Sequence, residues 1–138
     1  MNDIERADRF GTIRALLLLV LAAYIWFDLW LTASLFERPV FVAGWVAMMA
    51  VIALNLTGIG GRLKNKTLRR LMNDESVRAH RRIAVTTGFW TAMLGCMAAM
   101  VALAAQLLPA IVVVAAILSA ALSAALLHFA FLELRAAR

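Results

Sequence analysis

Arg62, Lys64, Lys66, Arg69, Arg70, Arg78, Arg81 and Arg82 crowd into 21 residues opposed only by Asp74 and Glu75, and a long apolar half lies on either side. Hydrocarbon excludes such a segment, because one basic side chain at the bilayer centre already costs roughly 2.5–3.5 kcal/mol. The segment therefore stays on one face of a membrane while each flanking half crosses and returns. The positive-inside bias places that face in the cytoplasm.

Composition agrees. The chain is 64% hydrophobic and 16% charged, with a mean hydropathy of +0.88, too little polar surface to cover a soluble domain of this size. Spanning backbone must satisfy its own hydrogen bonds, which leaves helices or a closed barrel. The apolar runs are rich in Ala and Leu and lack period-two alternation, so helices are expected. The formal charge of +6 resides in the basic segment, whose natural counter-ion is an anionic headgroup layer, at about 1 kcal/mol per basic residue, rather than nucleic acid. Cys96 is the single cysteine, so no internal disulfide forms.

The chain is expected to be all-α, one transmembrane domain over 1–138 built as a four-helix bundle. Residues 1–14 read as a short interfacial helix, with Arg14 as the last charge before the membrane. A signal peptide is disfavoured, because the apolar stretch from Ala15 exceeds an h-region of about 7–15 residues and no small-x-small cleavage site closes it. Spans are expected at about 15–36, 39–58, 83–107 and 111–132. Tyr24, Trp26, Phe27, Trp30, Phe36 and Trp45 mark the far interface. Pro39 suits the first turn of span two, and Gly58, Gly60 and Gly61 suit its end. The 59–82 loop is cytoplasmic and holds an amphipathic helix with Leu63, Leu68, Leu71 and Met72 among its charges. Asn73 is placed to cap the next helix, with Asp74 and Glu75 at its positive end. Leu108-Pro109-Ala110 is a neutral outer link. The inner segments then carry thirteen basic residues and the outer links only Arg38, which puts both termini in the cytoplasm.

Asp28 is the sharpest candidate for chemistry. It lies fourteen residues beyond Arg14, roughly 21 Å along a helix, where a carboxylate is costly and serves as a proton or cation carrier. The structural alternative is that it snorkels outward or pairs with Arg38, and the neighbouring Trp26 and Trp30 favour that alternative. Asn55, Thr57, Thr86, Thr87, Thr91 and His128 gather at the inner end, as a polar pocket or as interhelical hydrogen bonds worth about 0.6 kcal/mol each. His128 and Asp28 lie at opposite depths and form no relay. Met93, Cys96, Met97 and Met100 make a sulfur-rich stripe that reads as packing rather than a Cu(I) site. His80 has no second ligand at helical spacing, and no metal or cofactor is expected. Gly88, Thr91, Gly95 and Ala99 on span three, and Ala116, Ala120 and Ala124 beside Ser119 and Ser123 on span four, predict that these spans pack together. No residue-level internal repeat is seen.

Phosphate-binding glycine loops, His-Glu-x-x-His, GxSxG and CxxC are all missing from the sequence, so no enzyme is expected. The stretch Leu71-Met72-Asn73-Asp74-Glu75, with Arg78, Arg81, Ala84 and Gly88, resembles a pattern in small uncharacterised bacterial inner-membrane proteins. The resemblance covers under twenty residues and implies a four-span inner-membrane protein with an accessory or regulatory role. Small multidrug-resistance exporters are similar in having four spans and an acid in span one, but Asp28 stands in place of their glutamate, farther from the start and without the surrounding pattern. Three readings follow: an accessory protein contacting anionic lipid or a membrane partner, a second copy included; a small transporter using Asp28; and an immunity or stress-resistance factor.

Overall fold

The structure, a computed structural model, describes residues 3–57 and 75–136. Of the basic segment, Arg62, Lys64, Lys66, Arg69, Arg70 and Asp74 lie outside the described residues, as does the amphipathic loop helix. Four α-helices follow in order: α1 (Asp3–Thr32), α2 (Pro39–Thr57), α3 (Glu75–Ala104) and α4 (Ala110–Ala136). Each contains a stretch long and apolar enough to cross a membrane.

Residues 3–14 form no separate helix. α1 runs without a break from Asp3 for 30 residues, because the isolated Gly11 costs only about 1 kcal/mol and no proline interrupts it. α1 closes earlier than the expected span, at Thr32, whose hydroxyl donates to the Asp28 carbonyl at 2.6 Å. A 3₁₀ turn, Ala33–Leu35, follows. Arg38 then opens α2, its carbonyl accepting from the amides of Phe41 and Val42 at 3.0 and 3.4 Å, with Pro39 at the first helical position as expected.

The α3–α4 link is a Schellman turn. The Leu107 amide donates to the Ala102 carbonyl at 3.1 Å and the Gln106 amide to Leu103 at 3.0 Å. Gln106 takes the left-handed conformation, φ 53°. α3 thus stops at Ala104 rather than Leu107, and Pro109 presents its carbonyl to Val112 and Val113 to start α4.

α4 is the central helix and has two working faces. Ser119, Ser123, Leu126, Ala130 and Glu133, spaced by four and three, are all buried, and they meet α1, with which α4 packs extensively. α1 answers with the same spacing: Ala15, Leu18, Ala22, Ile25 and Leu29 are buried or packed against the core. The seam is antiparallel, since Arg14 meets Glu133 near one end and the Ser123 hydroxyl reaches the Ala22 carbonyl, at 3.5 Å, farther along.

The other face of α4 takes α3, as expected. A Cβ on Gly88 would lie 2.9 Å from the Ala121 carbonyl oxygen and 3.0 Å from Ala125 Cβ, and one on Gly95 would meet Ile117 at 3.2 Å. Ile117, Ala121 and Ala125 therefore meet the small-residue groove of α3 at Gly88 and Gly95. Helices in lipid gain nothing from hiding apolar surface, so this closeness of backbones is what holds them.

α2 behaves differently. Its backbone comes near α3 only briefly, and it joins the bundle through Trp45, Met49, Ile52 and Leu56, which enter one apolar cluster with Ile25, Leu29, Phe36 and Phe129. Tyr24, Trp26, Phe27 and Trp30 face outward as an interfacial set would. Phe36 and Trp45 do not: they are buried and stack edge to face, centroids 5.7 Å apart, closing the core near the 3₁₀ turn. The sulfur stripe faces outward too. Met93, Met97 and Met100 are exposed along with Cys96, so the stripe lies outside the core formed by the described residues.

Candidate functional site

The described polar chemistry gathers where α1, α3 and α4 meet near the charged ends of the helices. Glu133 comes from the last turns of α4. Its carboxylate is paired through Oε2 with the Arg14 guanidinium of α1, and Oε1 lies 3.3 Å from His80 Nδ1 of α3. The Glu133 side chain is 8% exposed, Arg14 28% and His80 20%. The site thus has a buried anion and partners that reach the surface. Arg14 also lies over the Phe129 ring, 5.2 Å from its centroid, a cation–π contact that holds the guanidinium down on α4.

A single carboxylate ties three helices that are distant in sequence. The geometry orients both carboxylate oxygens at once, and charge-assisted hydrogen bonds are roughly twice as strong as neutral ones. The tautomer of His80 that carries its proton on Nδ1 is the one that donates to Glu133.

A second cross-link lies two turns deeper. Thr87 Oγ1 is 2.6 Å from His128 Nδ1 and 3.1 Å from the Ile83 carbonyl oxygen. A hydroxyl has one proton. Both contacts are satisfied when Thr87 donates to Ile83 and His128 Nδ1–H donates to Thr87, which leaves His128 Nε2 as an acceptor.

The other residues of the inner-end polar group do not converge on this pair. Asn55 Nδ2 donates to the Val51 carbonyl at 2.9 Å and Thr57 to Leu54 at 3.0 Å, both within α2. Thr86 donates to Arg82 at 3.0 Å and Thr91 to Thr87 at 2.9 Å, both within α3. The geometry gives interhelical and intrahelical hydrogen bonds, with Thr87 and His128 alone joined across helices among these six.

Asp28 is half-buried in α1. Among the described residues no ion pair joins it to Arg38, and the carboxylate the fold encloses is Glu133. No three of His, Cys, Asp and Glu among the described residues converge as a metal site would require.

Arg14, His80 and Glu133 were not grouped by sequence reasoning. A signal for them existed. Each closes or opens an apolar span at the same boundary, and Glu133 is an acid set between Leu132 and Leu134 where the neighbouring span ends are basic.

Two further buried groups, Ser119 Oγ and Trp45 Nε1, have no hydrogen-bond partner among the described residues. Trp45 also lines a cavity of about 410 Å³ between α2, α3 and α4, walled by Met49, Ala53, Val85, Gly88, Ala121 and Leu122 among others. No family model matches the chain, and no curated protein or solved structure matches it significantly.

Proposed function

We propose that the chain is a multi-pass protein of a bacterial inner membrane, with both termini and the 59–82 loop in the cytoplasm, and that it serves as a non-enzymatic accessory or regulatory component of a membrane assembly. The observation that carries this reading is the state of α3. Its α4 face is committed through Gly88 and Gly95, while Phe89, Trp90, Met93, Leu94, Met97 and Met100 all stay exposed. Of the candidate spans α3 has the smallest buried share, 6% of its most apolar window against 33% for α4. Aromatic and methionine side chains make an adaptable surface, suited to a second transmembrane helix.

The polar groups support the same reading. Glu133 and His128 are engaged in holding helices together, which is the work of a scaffold. The basic residues Arg78, Arg81 and Arg82 on α3 then hold the charged end at an anionic leaflet.

Cys96, exposed on the outer face of α3, supplies the test without mutation. Bismaleimide cross-linking in native membranes is expected to join Cys96 to one defined species, a second copy or one partner, and to fail in a Cys96→Ser control. Recovery of monomer alone would refute the interaction reading. For orientation, a cysteine placed at Arg38 is expected to react with impermeant maleimide from outside the cell, and one at Lys66 only after permeabilisation.

A small carrier using Asp28 is the second reading, motivated by a half-buried carboxylate that makes no ion pair with Arg38. Unchanged proton or cation flux in Asp28→Asn vesicles would remove it.

A further inference from the structure

We propose that the cavity between α2, α3 and α4 holds one acyl chain of an anionic phospholipid, whose headgroup sits against Arg78 and Arg82. This rests on the membrane reading above and names the lipid that the charged end selects.

The walls are apolar. Apart from Thr57, the lining side chains carry no polar atom except Trp45 Nε1, which is buried, and the Thr57 hydroxyl is already turned to the Leu54 carbonyl at 3.0 Å. The volume of about 410 Å³ falls within the roughly 300–1,000 Å³ of small-molecule sites. On α2 the lining runs from Trp45 to Thr57, a rise of about 18 Å. One leaflet of a hydrocarbon core about 30 Å thick is about 15 Å deep. The groove is therefore as long as one leaflet's chain, and Trp45 closes its far end.

The space exists because α2 stands off from its neighbours and because Ala50, Ala53, Ala121 and Ala125 withhold side-chain volume from the walls.

Charge decides which lipid. Val85 is the groove-lining residue of α3 nearest its N-terminus. Arg82 precedes it by three residues and Arg78 by seven, spacings that share a helix face, so both arginines continue the groove wall past its mouth. A cationic rim at the headgroup level is complementary to an anionic lipid. A zwitterionic lipid has the same chain and gains less from the rim.

The test reads Trp45. In a chain carrying Trp26→Phe, Trp30→Phe and Trp90→Phe, all at exposed positions, Trp45 is the sole tryptophan. The protein is reconstituted in phosphatidylcholine vesicles with increasing chain-brominated phosphatidylglycerol, or chain-brominated phosphatidylcholine, whose bromines quench nearby indoles. Half-maximal quenching is expected at a roughly tenfold lower mole fraction of the anionic lipid. Arg78→Gln with Arg82→Gln should abolish that difference while quenching persists. Ala50→Leu with Ala53→Leu, which fills the groove, should abolish saturable quenching.

Equal titration curves for the two lipids would overturn the proposal and leave the membrane reading standing, since lipid chains would then reach Trp45 without selection by headgroup. Absence of quenching by either lipid would show that no acyl chain enters the groove and would also overturn the proposal, the membrane reading being tested separately by the labelling at Arg38 and Lys66. Quenching that instead falls as the protein-to-lipid ratio rises would assign the groove to a second copy of this chain and also overturn the proposal. The comparison of lipids is made on an unaltered groove, so it stands even where the leucine variants fail to insert.

Discussion

The Arg14–Glu133 pair lends itself to a double-mutant cycle, because its two ends differ in burial. Glu133 is 8% exposed and Arg14 28%. Exposed ion pairs contribute about 0.2–1 kcal/mol, neutral interhelical hydrogen bonds in membranes average about 0.6 kcal/mol, and breaking a fully buried pair costs about 3–5 kcal/mol. A pair buried at one end, with charge-assisted geometry, belongs between these values, and a coupling energy of about 2 kcal/mol is expected.

The asymmetry sharpens the prediction. Arg14→Met leaves an enclosed carboxylate held by His80, 3.3 Å away, with the Arg81 charge also near it, so a cost of about 3 kcal/mol, the lower end for a broken buried pair, is expected. Glu133→Gln leaves a guanidinium that keeps the Phe129 ring at 5.2 Å and can turn toward water, so about 1–2 kcal/mol is expected. Reversible unfolding in mixed detergent micelles containing SDS, followed by circular dichroism, measures wild type, both single variants and the double variant. A coupling energy below about 0.5 kcal/mol would equate the pair with an exposed one. A Glu133→Gln cost exceeding that of Arg14→Met would show that the enclosed carboxylate is not the costly partner. Either result refutes the reasoning.

The same unfolding assay checks the helix seams. Gly88→Ala is expected to lose about 1–3 kcal/mol, because its Cβ would press on the Ala121 backbone oxygen at 2.9 Å. Gly95→Ala should be near neutral, since its nearest neighbour is the Ile117 side chain, at 3.2 Å, rather than backbone, and it gains helix propensity of about 1 kcal/mol. Gly44→Ala, with nothing within 4 Å, should stabilise by about 0.5–1 kcal/mol. Equal costs at all three positions would contradict the packing described. Gln106→Gly should stabilise by about 1 kcal/mol by relieving the left-handed conformation, and a loss would argue against the Schellman turn. Ser119→Ala removes a fully buried hydroxyl without a partner among the described residues. It is expected to be neutral or stabilising by up to about 1 kcal/mol, and a cost above that would reveal a partner for the hydroxyl.

The spans were legible because length and apolarity are properties of single stretches, and so was the α3 face, because Gly88 and Gly95 stand out among larger residues. The α1–α4 seam was not. Ala15, Leu18, Ala22, Ile25 and Leu29 have the right spacing, but in a helix apolar on every side that spacing has no contrast to display it. Phe36 and Trp45 were assigned to the interface by residue type. Their edge-to-face contact depends on the 3₁₀ turn that folds α2 back, which composition does not reveal. Glu133 shows the same limit, since its partners lie 119 and 53 residues away and only the common depth of three span ends could have joined them.

The way each helix is held explains why the cavity lies beside α2. α1, α3 and α4 are bound by close small-residue contacts and by polar cross-links at Glu133, His128 and Ser123. Among the described residues α2 has neither: a Cβ on Gly44 would have nothing within 4 Å, and Asn55 and Thr57 spend their hydrogen bonds on their own helix. Hydrophobic side chains alone do not favour a neighbouring helix over lipid, since both surroundings are equally apolar. α2 is therefore anchored by its short link to α1, by the Trp45–Phe36 contact and by the buried side chains of Met49, Ile52 and Leu56, while on its groove side its association depends on what fills the space beside Ala53. A lipid chain there would add to the hold of α2 on the three-helix core, so the stability of α2 should respond to bilayer composition, whereas that of the Arg14–Glu133–His80 junction should not.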